Sequence, residues 1–173
     1  MLRPFSPVKS VLAFALVVLL GFAGCFASKF TLIPPDKAKV NLTYVGDWDY
    51  VNTKGEHFIM AVRNIDDKLY YIESRKEDSP EVSRFVGFIC DVKAATFAHV
   101  RTLSDDGSIP DTWMVMRLDL TGDKLLIRQL SDEFFKSHPV SSSDQLRQII
   151  EANMGADAMY DKNETVTATR IVR

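Results

Sequence analysis

From Tyr44 onward the chain alternates apolar and polar residues in short runs divided by turn formers, the period-two pattern of half-buried strands. Tyr44–Val51 puts Tyr44, Gly46, Trp48 and Tyr50 on one face. Asn52–Gly55 turns it into His57–Arg63, where Phe58, Met60 and Val62 alternate. Asn64–Asp67 turns again into Lys68–Glu73, and the charged stretch Ser74–Pro80 reads as a loop. Val82–Asp91 is apolar on both faces, which predicts a central strand with a bend or bulge at Gly87. Ala95–Arg101 follows. In Thr112–Leu120, Met114, Met116, Leu118 and Leu120 face one way, and Trp113, Val115, Arg117 and Asp119 the other. A tight hairpin at Thr121–Asp123 leads into Lys124–Leu130.

The period then changes. Ser131 is a helix cap with Asp132 and Glu133 in the first turn, Lys136 and His138 at the end, and Pro139 as a stop. Ser142 to Gln145 fits a capping box, and Leu146, Ile149, Ile150 and Met154 form a helical apolar stripe ended by Gly155. Thr165–Arg173 returns to alternation, with Val166, Ala168, Arg170 and Val172 on one face. Seven consecutive strands, a helical insert over 131–154 and a closing strand predict a mainly β fold. An open meander of this length exposes two edges, so it is expected to close as an antiparallel barrel, its last strand beside its first.

The segment ahead of this domain has another character. A basic head with Arg3 and Lys9 precedes the apolar run Val11–Cys25, the layout of a secretory signal. Phe22-Ala23-Gly24-Cys25 resembles the lipobox of bacterial lipoproteins, with Phe22 where that family usually has Leu. The resemblance implies cleavage before Cys25 and acylation of that residue. Two other readings stay open. Val11–Ala27 is free of charge for about 17 residues, the lower limit of a membrane-spanning helix, and a conventional cleavage could follow Ala27. The expected organisation is a signal peptide over 1–24, a lipidated tether over 25–41 stiffened by Pro34-Pro35, and a β-barrel domain over 42–173.

Charge narrows the partners. The sequence holds 21 Lys+Arg and 23 Asp+Glu. Loss of Arg3 and Lys9 with the signal leaves 19 cations against 23 anions. A mildly acidic chain without a basic run does not suit nucleic acid, and membrane attachment would have to come from acyl chains. The place implied is the bacterial cell envelope, lipid-anchored and facing the periplasm or exterior. With Cys25 acylated, Cys90 is a lone thiol, and such a residue is ordinarily a small apolar core residue.

Gly46-Asp47-Trp48, opening the first strand of the meander, resembles the Gly-x-Trp signature of lipocalins and the wider calycin group. The resemblance implies that Trp48 plugs one end of the barrel and that an Arg near the chain's end packs across it. Arg170 is the best match, with Arg173 second. The family's motif near the sixth and seventh strands is not reproduced at Asp119–Asp123. A lipocalin-like barrel implies a small apolar ligand or lipid inside. Phe58, Met60, Tyr71, Phe85, Phe88, Met114 and Met116 are the candidate lining residues, and the same residues would fill a solid core if there were no cavity.

Catalytic constellations are missing from the sequence. There is no Gly-x-Ser-x-Gly elbow, phosphate loop or Cys-x-x-Cys, and His57, His99 and His138 lack paired metal-ligand spacing. With Val92-Lys93 as the turn, His99 falls opposite Val86, roughly 13 Å along the strand from Cys90 at ~3.3 Å per residue. That predicts a buried thiol and a strand-surface imidazole. The expectation is a non-enzymatic protein with no cofactor and no metal: a carrier of a small apolar molecule, or an envelope interaction module with a solid core that touches another envelope protein through its loops or insert.

Overall fold

A computed structural model describes residues 26–172; the signal-peptide and Cys25 lipidation expectations fall outside them. The strands are β1 (Ala27–Ser28), β2 (Gly46–Val51), β3 (His57–Asn64), β4 (Tyr70–Lys76), β5 (Val82–Val92), β6 (Ala95–Thr102), β7 (Trp113–Thr121), β8 (Lys124–Leu130) and β9 (Tyr160–Arg170). Helices α1 (Asp132–Lys136) and α2 (Ser143–Asn153) separate β8 from β9. Strands β2 to β8 pair in sequence order, all antiparallel, and β9 lies between β8 and β2, so eight strands close a barrel. The meander, its closure and the helical insert are as the sequence pattern predicts. β1 is an addition: it pairs with β7 at Met114 and Trp113, beyond the last β7–β8 pair at Met116 and Gln129.

The barrel wall is apolar on both sides for a reason the pattern did not reveal. An inner cluster holds Trp48, Val62, Tyr70, Ala98, Val100, Leu118, Leu125 and Ala168. A second cluster lies outside the barrel, where Cys90, Val92, Phe97, Val115 and Leu130 meet Phe26, Leu32, Phe135, Leu146 and Ile150. The apolar stripe of α2 is therefore used against its own barrel. Both helices begin as their sequences dictate: Ser131 Oγ accepts from Phe134 N and Ser142 Oγ from Gln145 N. The Gln145 side chain reaches back one residue further than a standard capping box, accepting from Ser141 N.

β5 runs unbroken from Val82 to Val92 in regular register with β4 and β6. Gly87 is thus neither a bend nor a bulge. A Cβ there would stand 2.6 Å from the His99 carbonyl oxygen, so glycine answers a close backbone approach.

Residues 26–41, expected as a tether, lie along the wall as a strap. Phe26 N bonds Leu130 O at 3.1 Å, and the Phe26 ring stacks on Phe135 with centroids 3.8 Å apart. Leu32 is buried, its carbonyl accepting from Arg147. Val40 N donates to Asp67 O, and Asn41 N to the Tyr70 hydroxyl. The apolar residues Phe26, Leu32 and Ile33 gain more by covering the outer cluster than by standing in water.

This strap also corrects the reading of His99. The β5–β6 turn is Lys93-Ala94, with Lys93 at φ +54°, so His99 pairs with Phe88 rather than Val86. It is fully buried, stacked on Phe88 and edge-on to Trp113, and its Nε2 accepts from Leu32 N at 3.2 Å. Burial pushes the imidazole down to about 3. The folded state therefore holds His99 neutral. The stability it contributes is complete above about pH 6.5, the ordinary histidine value, and is lost as pH falls toward 3. Urea midpoints measured from pH 7 to pH 5 should fall, and less steeply in His99→Gln. That variant should start lower at pH 7 by about 1–3 kcal/mol, since it disturbs the acceptor of the Leu32 N–H.

Candidate functional site: the barrel lumen

One end of the barrel is sealed. Trp48 is fully buried, pairs with Met60 and Arg170 in neighbouring strands, and donates Nε1–H to Tyr44 O at 3.1 Å. The Arg170 guanidinium lies 4.2 Å from the Trp48 ring centroid, a cation–π distance. It also donates to the carbonyls of Val45 and Thr43. Gly46 has φ +148°, and a Cβ on it would lie 2.6 Å from Arg170 Nη1. The glycine two residues before Trp48 is thus required by the arginine that covers the ring.

Above this plug the interior is open. A narrow cavity of 60 Å³ is walled by Tyr44, Val62, Tyr70, Ala98, Leu118 and Leu125. A wider one of 340 Å³ runs to the opposite end, and both touch Met60, Ile72, Val100, Met116 and Ile127. The larger volume lies at the small end of the range for small-molecule sites. The deep part is almost wholly apolar. Toward the mouth Tyr50, Asn52, Ser74, Ser83, Gln129 and Glu164 join the lining.

Of the lining candidates, Phe58, Met60, Phe85, Met114 and Met116 face the wide cavity. Tyr71 does not. It sits opposite Arg63 on the outer face, its hydroxyl donating to Glu73, because Tyr70 and Ile72 hold the inward parity of β4. Phe88 touches the narrow cavity at the wall, but its ring belongs to an outer cluster with Trp113 and Ala38. Tyr50, Val100, Ile127, Gln129, Glu164 and Val166 also line the lumen, beyond the candidates that the sequence offers. Parity identifies Tyr50 from Trp48, and Val166 and Glu164 from Arg170. Glu164 lay one residue outside the expected strand, which in fact begins at Tyr160.

The mouth has a built polar rim. The Tyr50 hydroxyl and Ser74 Oγ are 2.9 Å apart, and burial raises the phenol above its ordinary value, keeping it neutral. Lys76 Nζ is held by Glu56 at 2.6 Å, and Asn52 donates to the same carboxylate. The ladder between β2 and β9 covers only Trp48–Arg170, Asp49–Thr169 and Tyr50–Ala168. Beyond Tyr50 the two strands part, bridged by Thr53 Oγ1 donating to Asn163 O at 2.7 Å. Burial lifts the Cys90 thiol to about 12, far from a thiolate nucleophile at neutral pH. Among the described residues no cluster of three His, Cys, Asp or Glu is placed to hold a metal.

Comparison of the chain with family models, with curated proteins and with solved structures finds no match. No helix among the described residues is long and apolar enough to cross a membrane.

Truncating Trp48 to Ala should lower unfolding free energy by about 3–5 kcal/mol, as for other buried large aromatics. Gly46→Ala should also destabilise, since the new methyl must displace Arg170 and adopt an unfavourable φ. Urea unfolding followed by intrinsic fluorescence checks both, and a Gly46→Ala protein as stable as wild type would refute this account of the plug.

Proposed function

We propose that this protein is a lipid-anchored envelope protein that holds a small apolar or amphipathic molecule in its barrel and performs no chemistry on it. The observation that carries the reading is the lumen: plugged at one end by Trp48 and Arg170, apolar along its depth and polar at the open end. The anchor rests on Gly24-Cys25 in the sequence. Its position would suit the lumen. Phe26 bonds Leu130, and Ala27 pairs with Met114, which lines the wide cavity near the mouth. An acyl group on Cys25 would thus attach one residue from the strap's first contact with the barrel, at the end where the cavity opens.

Two measurements test the two halves. Binding of a polarity-sensitive apolar fluorophore should be lost in Met116→Trp, whose indole fills the cavity, and kept in Ile59→Trp. Ile59 is 41 % exposed and opposite Asp49 on the outer face. Equal binding by both variants would place the probe outside the barrel and remove the carrier reading. Metabolic palmitate labelling should disappear in Cys25→Ser; label that persists would remove the anchor.

A further inference from the structure

Granted that the lumen binds an amphipathic molecule, we propose that its ligand is a single-chain amphiphile with a cationic nitrogen head, the head seated on the Glu164 carboxylate and the chain running down toward Trp48. Glu164 lies on β9 and lines the wide cavity beside the point where β2 and β9 part. It is half-buried, and among the described residues no hydrogen bond or ion pair holds its side chain. A half-buried carboxylate at the polar mouth of an apolar bore, with only the exposed Lys54 as an opposite charge, is matched best by an amphiphile whose head is a cationic donor.

The surrounding charges leave that role open. Lys76 is committed to Glu56, and Asp161 adds a second negative charge near Glu164. Lys54 borders the same cavity, but it is exposed on the β2–β3 turn, where water solvates its ammonium. Tyr50 is neutral and already paired with Ser74. Burial and Asp161 raise the Glu164 pKa, against a smaller lowering by Lys54. The carboxylate is therefore protonated more readily on acidification than an ordinary glutamate, and the cation's advantage should fade at a correspondingly higher pH. The narrow bore fixes the tail: a cavity of 60 Å³ between Tyr44, Tyr70 and Leu118 admits a slim chain and excludes a fused-ring body.

The probes are n-dodecylamine, n-dodecanol and dodecanoate, each below its aggregation concentration, displacing the fluorophore from the wild-type protein and from Glu164→Gln. The amine should compete about ten-fold or more better than the alcohol, and the carboxylate worse than the alcohol, in wild type. In Glu164→Gln the amine's advantage should vanish while the alcohol's affinity stays as it was. An amine advantage that survives the substitution overturns the assignment to Glu164. A carboxylate that binds best, and loses that preference in Lys54→Met, overturns the head-group class. If none of the three displaces the fluorophore from wild type, the lumen reading itself has failed, an outcome distinct from either of these.

Discussion

The fold depends on one junction, the stacking of Arg170 on Trp48. These residues are register partners across the seam that closes the barrel, a seam with three residue pairs where β3 and β4 share seven. A ladder so short gives closure little support. The guanidinium supplies the remainder by covering the indole and bonding the carbonyls of Thr43 and Val45 on the approach to β2. It thereby ties the last strand to the chain ahead of the first. The same contact plugs the lumen, so closing the sheet and sealing one end are a single event. The seam is left free to separate at the other end, where the wide cavity opens.

A second constraint follows from closure. A barrel wall of mixed sidedness must show its outer face to water or cover it, and β5 to β8 carry Cys90, Val92, Phe97, Val115 and Leu130 outward. Helices α1 and α2 cover part of this surface and the strap covers the rest. His99 lies outside the lumen, against Phe88 and Trp113, and its neutral ring is the acceptor for a strap amide. The strap is therefore part of the domain's packing. Removing it would uncover an apolar surface, whereas a true leash could be shortened without effect.

What the sequence discloses and what it hides divide along physical lines. The strands and the insert are legible because the barrel interior imposes a strict period of two and the helices a period near 3.6. Residue type without parity misleads at Tyr71, which is aromatic but lies on the outward phase of β4 beside inward Tyr70; Phe88, on the outward phase of β5 beside Gly87, reaches the narrow cavity only from the wall. The His99 register was hidden because the β5–β6 turn is Lys93-Ala94, without the Asn or Gly that ordinarily marks a positive φ. β1 is two residues long and has no period to read. The early part of β9, Tyr160–Glu164, is polar and crosses an irregularity in its pairing with β8, which concealed Glu164.

The arrangement of strap, seam and plug would give the proposed lipid-anchored carrier a direction. The strap's first contacts, Phe26 with Leu130 and Ala27 with Met114, are at the mouth. The Trp48 plug is at the far end. With Phe26 packed on the barrel, little slack would separate the proposed acyl group on Cys25 from the rim, and the anchor would keep the opening close to the lipid surface. A slim amphiphile could then leave the bilayer tail-first into the bore without its chain crossing much water, the step that costs about 0.8 kcal/mol per methylene. The polar rim of Tyr50, Ser74, Gln129 and Glu164 would meet the head last. A carrier with its anchor at the plugged end would require every ligand to cross open water. Phe26 and Ala27, the first described residues, lie at the end that avoids this.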